Sequence, residues 1–288
     1  MDFDKLFGIT FEDDMRGEND AKMKTIECRN LISEKFGNID FVEESHRYTI
    51  GGNEFIPVSN VIKMYEPEVD WDKKAEDYAR KYGKKKEDVQ REWKLNNLKA
   101  TISGTRTHEF GESYTNILCG HPELICEQNK PQYIKEFGVL VPTYPKEESI
   151  KKFYDSLEPN LHPVGAEFKL SSIYMENTLP ICGTCDLLFY DSDRKGYVIG
   201  DWKTNKSLIK EYSRDHNITM TRCLSNLIDE PLSHYRVQMS MYQVMLESIG
   251  LKICDRFIVW LKDDGSYEKI YVEKIDDKVL NKILKGEK

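Results

Sequence analysis

Two short apolar segments that carry acidic residues constrain the fold of this chain more than any other feature. Residues 181–190 and 197–202 are rich in β-branched and aromatic side chains and show little helical period, which predicts two strands. The residues between them, 191–196, read DSDRKG, a composition that is typical of a turn. The segments therefore predict a β-hairpin whose arms carry Asp186 and Asp201.

The turn determines which residues of the hairpin face each other. If the chain folds back about residues 193–194, two residues lie opposite each other when their numbers add up to about 387. The Cβ atoms of such a pair are roughly 4.5–5.5 Å apart. Asp186 then lies opposite Asp201, and Lys203 shares their face because side chains alternate along a strand. A slip of one residue would separate the carboxylates. The hairpin thus predicts a site for one or two Mg²⁺ or Mn²⁺ ions, which prefer hard oxygen ligands.

Length and composition are those of a globular protein on the polar side. The chain has 288 residues, of which 39% are hydrophobic and 32% are charged, enough for one large domain or for a core with an appended module. Apolar runs are too short to span a membrane, and residues 1–5 lack a secretory pattern, so we expect a cytoplasmic protein with no membrane partner. The seven cysteines lack a framework spacing, which suits reduced thiols, and Cys182 and Cys185 are predicted to be packing residues.

Charge is distributed unevenly along the chain. The formal net charge is −8, which argues against a protein that binds DNA through its overall charge. Residues 73–106, however, contain eleven Lys or Arg against five acids, whereas residues 1–20 contain seven acids against two basic residues. The basic stretch could bind phosphates, with Lys84, Lys85 and Lys86 as candidates, or it could be a solvated helix face.

The rest of the pattern places helices and strands on both sides of the hairpin. Predicted helices cover residues 21–36, 147–157, 233–249 and 275–285, with a mostly helical stretch over 71–118 that breaks near Gly83 and Gly104. Predicted strands cover residues 164–174, 253–261 and 267–272, and a small hairpin over 41–58 precedes a short helix capped by Ser59. This order predicts an α/β core over residues 101–288 and a mostly helical N-terminal extension over 1–100, with an acidic tail, the small hairpin and the basic helices.

The acidic hairpin resembles the PD-(D/E)XK nuclease superfamily, and within it the RecB-like exonuclease branch. In that branch an aspartate on one strand precedes a (D/E)-x-K on the next, and Asp186 followed by the DWKT of residues 201–204 fits this pattern. The proline that usually precedes the first aspartate is Cys185 here. The resemblance covers about residues 102–262 and implies a restriction-endonuclease-like core, with a central mixed β-sheet flanked by helices in the order αβββαβ.

Three further positions fit the same resemblance. Residues 104–108, GTRTH, resemble the helix that carries a metal-ligating histidine, which is His108 here. Glu167 resembles an accessory glutamate of the family. Gln238 and Tyr242 match its QxxxY motif and share one helix face. Each side chain also has a structural alternative, as a packed histidine, an exposed strand glutamate or an ordinary helix face.

The residues and the resemblance together imply a set of roles. The implied catalytic residues are Asp186, Asp201, Lys203, Glu167, Gln238 and Tyr242. The implied metal ligands are His108, Asp186, Asp201 and the backbone carbonyl of Trp202. Lys203 would orient or deprotonate the attacking water. Further candidate phosphate contacts are Arg106, Lys206 and Lys210. Three tryptophans could stack on single-stranded bases or belong to the core: Trp71, Trp93 and Trp202.

We therefore expect a Mg²⁺-dependent or Mn²⁺-dependent deoxyribonuclease that leaves 5′-phosphates. The favoured mode is an exonuclease that acts on DNA ends or single strands in replication, recombination or repair. The alternatives are a structure- or sequence-selective endonuclease, and a catalytically idle module that binds DNA or a partner such as a helicase or recombination protein. The region before residue 100 resembles nucleases of this branch from tailed phages and mobile elements, which would place the protein in the cytoplasm of a bacterial host. The oligomeric state stays open.

Overall fold

A computed structural model describes residues 11–42, 45 and 47–287 of the protein. Residues 1–10 of the predicted acidic tail and His46 of the predicted small hairpin lie outside them. The helices are α1 (Phe11–Phe36), α2 (Val58–Lys63), α3 (Trp71–Tyr82), α4 (Lys86–Leu118), α5 (Pro145–Asp155), α6 (Glu211–Asp215), α7 (Pro231–Glu247) and α8 (Asp277–Lys285). The strands are β1 (Ile39–Val42), β2 (Arg47–Ile50), β3 (Asn53–Pro57), β4 (Tyr133–Ile134), β5 (Val139–Leu140), β6 (Leu161–Ser171), β7 (Ile181–Asp191), β8 (Gly196–Lys203), β9 (Ile253–Leu261) and β10 (Tyr267–Tyr271).

One mixed sheet organises the described part of the chain. Its strands follow the order β1-β2-β3-β7-β8-β9-β10, and β6 also pairs with β7. The pairs β3–β7 and β8–β9 are parallel, whereas β6–β7, β7–β8 and β9–β10 are antiparallel. Strands β4 and β5 form a separate small hairpin. The predicted α/β class, with a central mixed sheet flanked by helices, is therefore confirmed at this level.

Helices cover both faces of the sheet. Leu188 and Ile199 point into a core cluster shared with α1, α2, α7 and α8. Their neighbours Phe189 and Val198 point into a second cluster, shared with α4 and α5. Because alternate residues of a strand face opposite sides, burial of both faces requires a continuous apolar run. This requirement explains why β7 and β8 consist mostly of apolar residues. The few charged residues in these strands are therefore unusual.

The register of the β7–β8 hairpin follows the predicted rule. Leu187 pairs with Gly200, and Tyr190 pairs with Tyr197. The numbers of each pair add up to 387, as a turn about residues 193–194 requires. The recorded ladder ends at the Leu187–Gly200 pair, one position before Asp186 and Asp201. The two aspartates therefore occupy the first opposed positions beyond the paired part of the hairpin.

The N-terminal part of the chain is joined to the sheet. Strand β3 pairs with the start of β7, and α1 packs on β6 and β7. Helix α4 runs without interruption through residue 100, where the sequence suggested a division between extension and core. The division into two units stays a prediction, and the structure places its boundary inside a helix.

Two predicted helix boundaries were wrong. Gly83 does follow the end of α3, but Gly104 lies inside α4. A glycine costs a helix only about 1 kcal/mol relative to alanine, so a long, well-packed helix tolerates it. Ser59 does not cap α2, because the helix begins at Val58, directly after Pro57 of β3. The strand therefore continues into the helix without a separate capping residue.

Two other expectations concern the cysteines and the membrane. Cys182 and Cys185 are fully buried, and both are free thiols, which confirms the prediction that they are packing residues. Among the described residues, no helix combines the length and the apolar character that crossing a bilayer requires.

Candidate metal centre

A cleft opens where strand β7 changes partner along one edge. Strand β8 pairs with residues 187–191 of β7, and β3 pairs with residues 181–182 of the same edge. Strand β6 occupies the opposite edge throughout. Residues 183–186 therefore have no strand partner on this edge within the described chain. The cleft at this gap has a volume of about 1000 Å³ and contains His108, Glu167, Asp186 and Lys203 in its lining.

Three carboxylates lie side by side across three strands of the sheet. The β6–β7 ladder places Glu167 opposite Asp186, between the recorded pairs 166–187 and 168–185. The β7–β8 register places Asp201 opposite Asp186 on the other side. Residues that are opposite in neighbouring strands lie within a few ångströms of each other. The order Glu167–Asp186–Asp201 therefore follows directly from the strand register.

Glu167 has an unusual backbone conformation. Its φ angle is 55°, in the left-handed region that residues other than glycine rarely adopt. Such a conformation costs on the order of 1–3 kcal/mol and persists where the surroundings impose it, often at functional sites. The Glu167 side chain is 29% exposed, so it can reach the cleft.

His108 of α4 completes a group of three possible ligands. Its Nδ1 atom lies 3.4 Å from Asp186 Oδ2 and 3.9 Å from Glu167 Oε1. One ligand atom from each of the three residues lies within 4.8 Å of the other two. Ligands of an octahedral ion at 2.0–2.1 Å are separated by about 3.0 Å when adjacent and about 4.2 Å when opposite. One imidazole and two carboxylates at these distances fit a Mn²⁺ or Mg²⁺ ion.

The acidic surroundings favour the protonated form of His108. Burial disfavours the imidazolium, but Asp186 and Glu167 outweigh this effect and raise the pKa of His108 to about 9. A cation that uses this imidazole must therefore displace a proton at neutral pH. Burial also raises the pKa of Glu167, and the nearby His108 opposes that shift.

Asp201 and Lys203 form a buried ion pair beside this group. Lys203 Nζ lies 2.5 Å from Asp201 Oδ2, and the aspartate is 1% exposed. No described residue donates a hydrogen bond of good geometry to either Asp201 oxygen. Burial, and then the neighbouring Asp186, raise the pKa of Asp201 to about 7, although Lys203 opposes this. Asp201 is not among the three residues whose ligand atoms lie within 4.8 Å of one another, so its predicted role as a metal ligand stays a prediction.

Lys203 is held as a cation in this arrangement. Burial alone would lower the pKa of its ammonium, but Asp201 and Asp186 outweigh burial and raise it. A lysine that accepts a proton from water needs a pKa shifted in the opposite direction. Of the two roles that the sequence leaves open, the geometry therefore favours orientation and charge stabilisation over deprotonation of water.

The backbone of Trp202 supports Asp186, the middle one of the three carboxylates. Its amide donates a hydrogen bond to Asp186 Oδ2 at 3.1 Å, in a position that becomes available because the strands separate here. Its indole ring is fully buried and packs against α4, where a Cβ on Gly111 would lie 2.7 Å from Trp202 Nε1. Of the two alternatives for Trp202, burial in the core is therefore the one that the structure supports. The role of its carbonyl as a metal ligand stays a prediction.

Helix α7 contributes the predicted Gln238 and Tyr242 to the cleft wall. Gln238 Nε2 donates a hydrogen bond to the Tyr242 hydroxyl at 2.9 Å, as expected for residues one turn apart. Tyr242 is 3% exposed and lies against Gly183 of β7. A Cβ at Gly183 would lie 2.7 Å from Tyr242 Cε1, so only glycine allows this close approach.

Two tyrosines of the site were missed in the sequence. Lys203 Nζ lies 4.3 Å from the centre of the Tyr235 ring, and the Tyr235 hydroxyl donates to Asn205 Oδ1 at 2.6 Å. Tyr235 precedes Gln238 by one helical turn, and this spacing could have identified it. Tyr48 shares a hydrogen bond of 2.9 Å with Thr184 at the cleft. These two residues are 136 positions apart in the chain, so no local signal connects them.

Most predicted phosphate contacts are engaged elsewhere. Arg106 Nε donates to the buried Glu147 at 3.0 Å, and its guanidinium stacks on Tyr144 at 3.6 Å. Lys210 Nζ donates to Asp229 at 2.8 Å. Lys206 is exposed and does not line the cleft. None of these three residues lines the cleft, and their role as phosphate contacts stays a prediction.

The predicted basic residues before α4 lie far from the cleft. Lys86 is 22 positions before His108 in one continuous helix, which corresponds to about 33 Å at 1.5 Å per residue. Lys84 is paired with Glu92, and Lys86 with Asp72. The exposed Lys85 has no ion pair among the described residues. Their role in phosphate binding stays a prediction, and they cannot contact a phosphate that is bound at His108.

Comparison with known proteins adds no family to these observations. No protein-family model matches the chain, and no curated protein matches it either. A function for this protein is therefore inferred from the geometry of the cleft and from its motif residues.

Proposed function

We propose that this protein is a divalent-cation-dependent deoxyribonuclease of the PD-(D/E)XK type, related to the RecB-like branch, with a restriction-endonuclease-like core. It hydrolyses DNA to 5′-phosphate products, as an exonuclease that acts on ends or single strands. The observation that supports this most strongly is the row Glu167–Asp186–Asp201 across three neighbouring strands. His108 and Lys203 reach the same row from a helix and from the end of a strand.

Hydrolysis of a phosphodiester requires charge neutralisation, an activated water and a stabilised leaving oxygen. A Mg²⁺ or Mn²⁺ ion held by His108, Glu167, Asp186 and Asp201 would neutralise phosphate charge and lower the pKa of water. The protein positions these donors before the substrate arrives, because the strand register fixes the carboxylates and α4 fixes the imidazole.

The remaining cleft residues act on the phosphate itself. The Lys203 ammonium lies beside the carboxylate row and can stabilise negative charge that develops on the phosphate. The amide nitrogen of Gln238 donates one of its two hydrogens to the Tyr242 hydroxyl at the cleft wall. The second hydrogen can be donated to a phosphate oxygen. These contacts would orient the strand for attack by water.

Burial of the carboxylates favours an enzyme over an idle DNA-binding module. Asp186 and Asp201 are both less than a tenth exposed and lie opposite each other. Two like charges in such a position cost free energy, because burial and mutual repulsion both disfavour ionisation. A module that only holds DNA has no use for two buried carboxylates, whereas a metal-dependent enzyme uses them to bind its cation.

Digestion of linear duplex and single-stranded DNA tests the proposal. Wild-type protein should degrade DNA in Mg²⁺ or Mn²⁺ and stop when the cation is chelated. Asp186→Asn and Lys203→Gln should each lower the rate by at least about 100-fold, as expected for loss of a group that stabilises transition-state charge. The matched control is Asp193→Asn, an exposed turn residue of the same hairpin, which should cleave like wild type. Equal digestion by all four proteins would rule out this active site.

A closed circular substrate separates the modes of action. An exonuclease should leave the covalently closed circle intact while it degrades linear DNA. Nicking or linearisation of the circle would instead identify an endonuclease. Binding of DNA without cleavage at any cation concentration would identify an idle module and reject the enzymatic proposal.

A further inference from the structure

A second groove lies beside the metal cleft, towards helix α1. It has a volume of about 400 Å³ and lies between α1, β6 and the segment around residues 121–124. Glu167 and Lys169 of β6 line both cavities. The two cavities are therefore neighbours, and the second extends from these shared residues along β6.

Positive charge lines this second groove. Arg29 of α1 is half-buried and Lys169 is exposed, and neither side chain forms an ion pair within the described chain. His121 also lines the groove, and its Nδ1 atom lies 2.9 Å from Glu123 Oε1. The one acid in the lining is Glu167, whose charge a cation at the metal group would offset. Two basic side chains that form no ion pair within the described residues, in a groove beside a metal site, are suited to phosphates.

Apolar surface accompanies these charges. Phe168 lines the groove together with Arg29, and a Cβ at Gly165 would lie 2.7 Å from the Phe168 ring. Leu124, which is 50% exposed, lines the same groove. Proteins that bind single strands combine a basic groove with aromatic side chains on which bases stack. A cavity of about 400 Å³ has the size of a small-ligand pocket, which suits a short stretch of one strand.

We infer that this groove binds single-stranded DNA next to the phosphate that is cleaved, with Arg29 and Lys169 as its phosphate contacts. The inference rests on the proposed nuclease function, because it names the form of the substrate and its path from the metal site. The strand would pass from the carboxylate row over Lys169 and then along α1. Phe168 would contact the bases on this path.

Binding of fluorescently labelled single strands tests the inference. Strands of about four to about sixteen nucleotides span the usual range of such sites. Titrations use Ca²⁺ in place of Mg²⁺, at several salt concentrations, and a denaturing gel checks that the strand stays intact. The proteins are wild type, the double variant Arg29→Gln/Lys169→Gln, and the control Lys278→Gln, an exposed residue of α8 outside both cavities.

The double variant should bind the longer strands at least about tenfold more weakly than wild type, since contacts to charged groups are strong. Its salt dependence should also be shallower by about 1.4 in the log–log slope, because each phosphate contact to a single strand contributes about 0.7. The shortest strands should lose less affinity than the longest. The control should bind like wild type. Unchanged affinity and slope in the double variant would overturn the inference.

The outcome for the groove can be separated from the outcome for the enzyme. Wild-type protein that binds strands through Arg29 and Lys169 but never cleaves them supports the groove and rejects the nuclease. Wild-type protein that cleaves DNA, with binding unaffected in the double variant, supports the nuclease and rejects the groove. Thermal unfolding of each variant checks folding, and the single variant Arg29→Gln replaces the double variant if the latter is unstable.

Discussion

The ammonium of Lys203 lies between Asp201 Oδ2, at 2.5 Å, and the face of the Tyr235 ring, at 4.3 Å from its centre. The ring is itself held in place, because its hydroxyl donates to the side chain of Asn205. The backbone carbonyl of Asn205 accepts a hydrogen bond from Trp260 Nε1 at 2.7 Å. A strand neighbour and a helix residue therefore fix the position of the lysine together.

Removal of the Tyr235 ring should weaken catalysis more than removal of its hydroxyl. A cation–π contact contributes about 1–2 kcal/mol when it is shielded from water, so Tyr235→Leu should lower kcat by about 5- to 30-fold. Tyr235→Phe keeps the ring and should stay close to wild type. Steady-state cleavage of a short DNA substrate measures kcat and KM separately, and KM should change little. Equal kcat values for the two variants would show that the ring does not position Lys203.

Metal binding should release protons and become tighter as pH rises. The pKa of His108 is raised to about 9 and that of Asp201 to about 7, so both groups carry protons that a cation must displace near neutral pH. Calorimetric titration with Mn²⁺ at pH 7.5, in buffers of different ionisation enthalpy, should show release of about one proton per ion. His108→Ala should reduce this release. Binding that is independent of pH and releases no protons would contradict the assignment.

The stability of the Asp201→Asn variant relative to wild type, measured in the absence of metal, should rise between about pH 4 and about pH 7. The usual pKa of an aspartate is 3.8, and in the folded protein that of Asp201 is about 7, so folding favours the protonated form. Wild-type stability from this group is present below about pH 4 and is lost as pH rises to about 7. The difference in unfolding free energy between the two proteins should change over this window by about 4 kcal/mol. Chemical unfolding at several pH values measures it, and a constant difference would contradict the prediction.

Two glycines of the cleft should respond in opposite directions to alanine. Gly183→Ala places a methyl group 2.7 Å from Tyr242 Cε1 and should destabilise the fold by about 1–3 kcal/mol through overpacking. Gly104→Ala places its Cβ 3.5 Å from Thr204 Oγ1, an ordinary contact, and should stabilise α4 by about 0.5–1 kcal/mol. Thermal unfolding of the two variants checks the signs. A stabilised Gly183→Ala variant would show that Tyr242 is not packed tightly on β7.

Local patterns predicted the centre of the fold well. The register of the β7–β8 hairpin follows from its turn, and the central strands follow from their apolar runs. The attachment of β3 to β7 could not be predicted, because parallel pairing between segments more than 120 residues apart depends on tertiary packing. The break expected at Gly104 failed for a similar reason, since packing of α4 on the sheet overrides local propensity.

The candidate site was predictable where motif residues lie on regular elements. The sequence singled out His108, Glu167 and Asp186, and the fold brings them together in one cleft; their role as metal ligands stays a prediction. Side-chain pairing was not predictable, because whether Arg106 faces a phosphate or Glu147 depends on a helix that packs beside it only in the folded chain. The sequence therefore gives the number of basic side chains, and the fold determines which of them remain without an acidic partner.

An anomalous diffraction measurement on crystals soaked in Mn²⁺ shows whether this cleft binds a metal ion. We expect a strong peak within coordination distance of His108, Glu167 and Asp186, with Asp201 next to it. Well-ordered crystals that show these side chains without any peak among them would contradict the claim that the three strands and α4 assemble a metal centre.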